Sequence, residues 1–437
     1  MDTPPTTVTH PEQIGEEVYA LVRELFPLCR SITGTGTRET LSRLGKLIPL
    51  TIYEVPSGTK VFDWTVPREW NIRDAYVKNS RGVRVIDFQK SNLHVVNYSV
   101  PVHLRTTLQE LRKHLHTLPE HPDWIPFRAS YYTESWGFCL SHRDLEELTD
   151  GEYEVCIDST LESGALTYAE CYLPGEREDE VLISTHVCHP SLCNDNLSGV
   201  AVAAFLAARL QSRRRQYSYR FLFIPTTIGS ITWLARNEDK VGRIRHGLVL
   251  ACLGDPGRST YKKSRRGDVE IDRAVTHVLK TSGREYEIVE FSPYGYDERQ
   301  FCSPGFNLPI GCLMRTPNGR FPEYHTSADS LEFVKPAALA DSFTKCARVV
   351  EILEGNGTYV NQNPKGEPQL GRRGLYWPPP GKHQLPAEEF ALLWVLNLSD
   401  GKHSLLDIAE RAGLSFESVR RAADALLPHD LLRPAIE

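Results

Sequence analysis

From Tyr153 onward, short apolar strands alternate with segments of helical period, and this rhythm restricts the fold more than any other feature of the chain. YEVCID and LTYAECYL read as strands paired across ESG like a hairpin, and EVLIST as a short buried strand. YRFLFIP, HGLVLACLG, YEIVEF and PIGCLMR follow as further strands. LSGVAVAAFLAARLQS, GSITWLARNED, IDRAVTHVLKTSG and PAALADSFTKCARVVEILEG are the helices among and after them. Such an order predicts an α/β fold with a mixed, mainly parallel sheet and helices on both faces. Sites in sheets of this kind lie at the carboxyl ends of the strands.

The rest of the chain falls around that core. GEEVYALVRELFPLC and TRETLSRLGKLI carry helical apolar stripes, and TIYEVP reads as a strand. Residues 1–61 and 149–357 make the predicted core. Residues 62–148, with short alternating runs rich in Trp and Val, make a β-rich inserted subdomain, in which TTLQELRKHLHTL reads as a helix. Residues 358–386, centred on PPPG, read as a linker. Residues 387–437 hold three helices with a turn at AGLS, the pattern of a winged-helix or helix-turn-helix domain.

Charge and cysteine usage narrow the partners. The net charge of −6 argues against nucleic acid. The C-terminal unit carries more acid than base, so DNA is not an expected partner, and protein contact or self-association into a homo-oligomer is. MDTPPTTVTHPEQ has neither a basic n-region nor an apolar h-region, so no signal peptide is expected, and no apolar run reaches bilayer length, so no membrane partner is expected. Ten cysteines are scattered without a CxxC pair, as in a reducing cytoplasm.

One stretch holds most of the chemistry. STHVCHPSLCNDNLSGV packs two histidines, two cysteines and an aspartate between a strand and a helix. His186 falls just past the end of EVLIST, and Asp195 falls in the loop that opens the next helix. Asp255 follows HGLVLACLG, and His325 follows PIGCLMR and a loop. Imidazole and carboxylate donors from separate strand ends suit zinc, and three protein ligands leave a position open for water. Cys188 and Cys193 read as packed loop thiols, not as half of a second zinc site.

HVCHPSLCNDNLSG with the distant YHTSAD resembles the di-zinc aminopeptidases related to bacterial leucyl aminopeptidase and glutamate carboxypeptidase. Their pattern is HxD, DNxSG opening a helix, a Glu-Glu pair, a strand-end Asp, and HTxxD. CRSITGTGTRETL, VPREWNI, NDNLSG, TIGSITWL and PEYHTSADS extend the likeness, over almost the full length, to bacterial aminopeptidase-like proteins with an inserted small domain and a C-terminal winged helix. The resemblance implies His186, Asp195, Asp255 and His325 as metal ligands, with Asp195 the bridge if two ions bind. It implies Asp329 behind the His325 ring. His189 is a further candidate behind the ligands, or a substitute ligand.

The chain departs from that pattern twice. HxD has become His186-Val187-Cys188, and the strand that should deliver the Glu-Glu pair reads PTTIGS instead. Threonine has no carboxylate to take a proton from water near neutral pH. Glu323 and Glu298 are the candidate replacement bases, and the lost ligand favours one zinc over two. Asp297 in GYDERQF, Tyr132 and Trp136 in the aromatic run SYYTESWGFC, and Arg30 are candidate pocket residues. The expected activity is zinc-dependent hydrolysis of an amide bond in a peptide or in an aminoacylated or acylated small molecule. The alternative is a non-hydrolytic, metal-binding regulatory or interaction protein on the same fold.

Overall fold

The computed structural model describes residues 11–375 and 387–435. The first ten residues, where most of the leader reading fell, lie outside the described residues, as do residues 376–386 with PPPG. The chain divides into two compact units, residues 1–269 with 287–344, and residues 270–286 with 345–437. No helix among the described residues is long and apolar enough to cross a membrane.

The first unit is organised by an eight-stranded sheet. Numbered among themselves, its strands are β1 (Thr51–Pro56), β2 (Ala165–Leu173), β3 (Glu180–His186), β4 (Ser218–Ile224), β5 (Ile244–Leu250), β6 (Ser259–Lys262), β7 (Tyr286–Val289) and β8 (Ile310–Met314). They lie in the order β1-β2-β4-β3-β5-β8-β6-β7. β4, β3, β5 and β8 run parallel; β1 and β2 are antiparallel at one edge, and β6 is antiparallel to β8. Every residue of β3 and β4 is buried, as in a sheet covered on both faces. The helix Gly199–Gln211 packs against β3 and β5, and its small residues Ala201, Ala203, Ala204 and Ala207 permit a close approach. Phe221, Leu222, Phe223 and Ile224 are fully enclosed in β4, and truncating one such side chain to alanine costs about 2–5 kcal/mol.

The expected hairpin across ESG does not form. Glu152–Glu162 pairs instead with Glu69–Lys78 and Val102–Thr107, completing a four-stranded inserted sheet with Arg84–Asp87. The two strands differ in how they are covered: Glu152–Glu162 alternates between buried and half-buried positions, whereas β2 is buried almost throughout. An alternating strand suits a sheet with one wet face, and a continuous apolar strand suits the doubly covered one. The inserted sheet therefore reaches past residue 148. Within it, the expected helix shrinks to the turns Leu108–Leu111 and Arg112–His114. The polar strand β6 had no clear apolar signal.

The second unit carries the helices Ala387–Leu398, Leu405–Ala412 and Phe416–Leu426. Gly413 takes φ 66° to end the second helix, and Ser415 caps the third by accepting from the Ser418 amide, which explains the AGLS turn. Thr358–Asn361, placed in the linker by its Gly- and Asn-rich surroundings, is the central strand of a three-stranded sheet with Asp400–Ser404 and Leu432–Pro434.

Candidate metal centre

The site begins where β3 and β4 end. Ile224 pairs with His186 and accepts a hydrogen bond from the Val187 amide at 3.0 Å. The chain after His186 turns back through His189 into the irregular segment Cys193–Ser198, where Asp195 and Asn196 leave helical backbone angles. Alternate residues of NDNLS tie this segment to the end of β5. Asn194 Oδ1 accepts from the Gly254 amide at 2.8 Å, Asn196 Oδ1 from the Cys252 amide at 3.0 Å, and Ser198 Oγ from the Leu253 amide at 2.8 Å. The following Gly199 is a matter of space: a Cβ there would lie 2.6 Å from the Leu250 carbonyl oxygen. With its neighbours so fixed, Asp195 is free to face the histidines.

Three imidazoles converge on that one carboxylate. His186 Nε2 lies 2.8 Å from Asp195 Oδ1, and His325 Nε2 lies 2.9 Å from Oδ2. His189 Nε2 lies 3.9 Å from Oδ2. His186, His189 and Asp195 are buried, and the His325 ring is about one-third exposed, at 34%. Burial opposes charge on Asp195, but the three rings outweigh it and hold the carboxyl well below its ordinary value. Burial pushes His189 down to about 3, against the pull of Asp195, so its ring is neutral and offers a lone pair.

Aromatic rings fix the orientation of the imidazoles. Tyr296 stacks on His186 with centroids 5.3 Å apart, and Tyr324 stacks on His325 at 3.9 Å. Phe127 meets both His189 and His325 edge-on. The inserted subdomain supplies Phe127, whose amide donates to the His325 carbonyl at 2.7 Å. That bond holds His325 at φ 57°, a left-handed conformation that is uncommon for a side chain of this size.

Several sequence expectations land elsewhere. Asp255 is outside the cluster, with its oxygens taken by its own surroundings. Oδ1 accepts from Thr316 Oγ1 at 2.6 Å and the Gly257 amide at 2.8 Å, and Oδ2 accepts from the Thr316 amide and Asn194 Nδ2, each at 3.1 Å. Asp329 does not hold the His325 ring; it accepts from the Asn194 and Asp195 amides at 2.6 and 2.9 Å and so props the loop. Glu298 forms a buried pair with Lys262 at 2.7 Å, which occupies it as a base. Glu323 is partly exposed and uses its backbone carbonyl to accept from Thr326 Oγ1 at 2.8 Å. Arg30 is enclosed, and its Nε donates to the His189 carbonyl at 2.8 Å. Trp136 stacks on His114 at 3.6 Å within the insert, and Tyr132, 55% exposed, lies edge-on to Trp64.

Two neighbours of these residues carry the groups that sequence reasoning undervalued. Asp297 is enclosed, its Oδ1 accepting from Ser230 Oγ at 2.8 Å and Thr226 Oγ1 at 3.1 Å. The Tyr131 hydroxyl is buried without a hydrogen-bond partner, and burial keeps its phenol protonated. His186, His189 and Asp195, brought together by a strand end and a loop, have ligand atoms all within 4.8 Å of one another and could hold a metal ion, and imidazole with carboxylate is a donor set suited to zinc.

Known proteins share this architecture. A family described as a domain of unknown function, DUF4910, matches residues 19–356, and a winged helix-turn-helix family matches residues 357–434. A Clostridium acetobutylicum protein, provisionally named a polysaccharide biosynthesis protein with an aminopeptidase-like domain, is 55% identical over 98% of both chains. A crystal structure from the same organism, provisionally called a peptidase, superposes with a TM-score of 0.93 at 55% identity, covering 97% of each chain. A zinc aminopeptidase from Bacillus subtilis superposes with a TM-score of 0.56 at 13% identity, over 78% of this chain and 94% of its own. A peptidase M28 precursor from Shewanella amazonensis gives 0.54 at 12% identity, over 79% and 96%. The last two likenesses show a shared zinc-exopeptidase fold, and the chain belongs to the DUF4910 family, with a winged helix-turn-helix domain at its C-terminal end.

Proposed function

We propose that the chain is a zinc-dependent hydrolase of amide bonds, acting on a peptide or on an aminoacylated or acylated small molecule. The observation that carries this reading is the convergence of three imidazoles on the buried Asp195 carboxylate. His186, His189, Asp195 and His325 would hold the ion. Zinc, when bound, supplies a Lewis acid that polarises a carbonyl oxygen and acidifies water. The Glu-Glu pair of the di-zinc aminopeptidases that the sequence resembles is replaced by Thr226-Thr227 and Asp255 is engaged in its own loop, so one ion is expected, not two. The chain's own groups do the remaining work. Phe127 and Tyr324 exclude water from the rings, and the one-third exposure of His325 marks the side from which substrate enters. The unpartnered Tyr131 hydroxyl is a donor suited to an amide carbonyl oxygen. The relative's provisional name adds saccharide-borne amides to the substrate class. We place the activity in the cytoplasm, with self-association rather than DNA as the use of the C-terminal domain.

Elemental analysis of zinc in the wild type and in His325→Ala, followed by a screen of aminoacyl, peptide and N-acyl sugar amides, tests this reading. About one zinc per chain, reduced in the variant, with metal-dependent release of amine, is the expected result. A chain that keeps its zinc and cleaves none of these amides would replace the hydrolase with a metal-binding interaction protein.

A further inference from the structure

β4 ends beside His186, and the chain then reads Pro225-Thr226-Thr227, so no carboxylate arrives from that strand. A different loop brings one to the same place. Asp297 precedes the short helix Glu298–Phe301 and is 1% exposed. Its Oδ1 is held by the Thr226 and Ser230 hydroxyls, while Oδ2 is buried with no partner. A buried carboxylate oxygen without a donor is costly to keep, which makes it a group held ready for something that enters the site. Tyr296, the residue before it, stacks on His186 and anchors the loop against the cluster. Of the other acids, Asp255 lies in its own turn, and Glu298, whose Oε2 is also buried without a partner, is neutralised by Lys262 at its Oε1.

On the zinc-hydrolase reading above, we propose that Asp297 is the general base of this site, taking the place of the missing strand-end glutamate. Asp297 accepts a proton from the attacking water. The electron pair left on that oxygen forms the bond to the amide carbonyl carbon, while the carbonyl π pair moves onto the carbonyl oxygen and returns to carbon in the next step. When the C–N bond breaks, its pair stays on nitrogen, and the proton passes from Asp297 to that nitrogen, restoring the carboxylate. The charged and titratable neighbours are His186 at the end of β3, Cys188 in the loop after it, Cys312 on β8, and Arg299 and the Lys262-paired Glu298 on the helix side. Burial raises the Asp297 carboxyl above its ordinary value, against His186 and the two hydroxyl donors, the direction that strengthens a base.

The test uses the full chain loaded with zinc and compares wild type with Asp297→Asn. Zinc content is measured, together with the protons released on binding acetohydroxamate, by calorimetry in two buffers of different ionisation enthalpy. Amide hydrolysis is followed where it occurs. The proposal expects equal zinc in both proteins and greater proton release by the variant, by about one per site, because the base that retains the hydroxamate proton is gone. It expects kcat to fall about 10²–10⁴-fold with little change in KM, and Asp297→Glu to recover part of the loss. Zinc lost in the variant would make Asp297 a ligand, and equal proton release would remove it from proton transfer; either overturns the proposal. A wild type that binds zinc, retains the proton through Asp297 and cleaves no amide would sink the hydrolase reading while leaving the proton role standing. A wild type without zinc would sink both. If Asp297→Asn does not fold, Thr226→Val keeps the carboxylate and removes one donor to it. Losing a donor that lowers the Asp297 carboxyl should then move the pH profile of proton retention upward, and an unmoved profile contradicts the proposal.

Discussion

Two clusters of buried charge occupy the two ends of β3, and they are built on opposite plans. At its first residue, Glu180 receives Arg220 through Nε and a terminal nitrogen at 2.8 and 2.9 Å, and Arg220 also meets Glu170. Trp233 Nε1 donates to the remaining Glu170 oxygen at 2.8 Å. Opposite charges meet with their donors and acceptors matched, and the cluster is complete as it stands. At the last residue of β3, His186 joins His189 and His325 around Asp195. Imidazoles take the place of the guanidinium there. A buried ion costs several kcal/mol unless it is paired, and the open cluster lacks the permanent cation that closes the other. On the zinc reading, the contrast is between a charge network that holds the fold and one that takes a cation.

Breaking each cluster should therefore fail in a different way. Asp195→Ala should reduce zinc to background and slow amide hydrolysis by about a thousand-fold or more, the loss of a Lewis acid worth several kcal/mol. Glu180→Gln should leave zinc content unchanged and cost about 1–3 kcal/mol in urea denaturation, because Arg220 keeps Glu170 but loses a charged acceptor. If Glu180→Gln also loses zinc, the two ends of β3 are not independent and the contrast fails.

A second comparison sharpens the boundary of the open cluster. His189→Ala should weaken zinc binding by about 10–100-fold, read by competition with a chelating dye. Asp255→Asn should leave zinc affinity unchanged and lower stability by about 1–3 kcal/mol, since its carboxylate serves the Thr316 and Gly257 turn. The reverse ranking would restore Asp255 to the ligand set.

The smallest effect concerns a closed pair away from the site. Arg38 donates to both oxygens of Glu69 at 2.6 Å. That bonding, against partial burial, holds the Glu69 carboxyl at about 2. Because the folded-state value lies below the unfolded one, the stabilisation is complete above the ordinary carboxyl range and is lost as pH falls toward about 2. Glu69→Gln should make the acid limb of the stability curve shallower without altering zinc binding, and an unchanged limb would remove this pair from the acid response.

How far the sequence discloses these features depends on how local each one is. The parallel core follows from the alternation of β3, β4, β5 and β8 with helices, because continuous apolar strands need cover on both faces. His186, Asp195 and His325 are legible as a strand-end residue, a helix-opening loop and a turn. Asp255 shows the limit of that logic. A strand end places a backbone, but the direction of the side chain depends on Thr316, sixty-one residues on in sequence. His189 was harder to rank, because Arg30 from the N-terminal segment holds its carbonyl and so sets the loop. Asp297 gained its importance from Thr226, a contact spanning seventy-one residues. The pairing of Glu152–Glu162 with the insert was likewise set by distant partners, while its ESG turn looked like a local hairpin. The short strand Thr358–Asn361 was hidden by glycine and asparagine on both sides, the composition of a linker.

The central claim is that His186, His189, Asp195 and His325 form one zinc centre. Zinc K-edge X-ray absorption on the full chain with one equivalent of zinc tests it most directly. The account predicts nitrogen and oxygen neighbours only, with the outer scattering of three imidazole rings. A sulfur neighbour at about 2.3 Å would move the ion to Cys188, Cys193 or Cys252, and failure to retain zinc through dialysis would deny that the cluster is a metal centre.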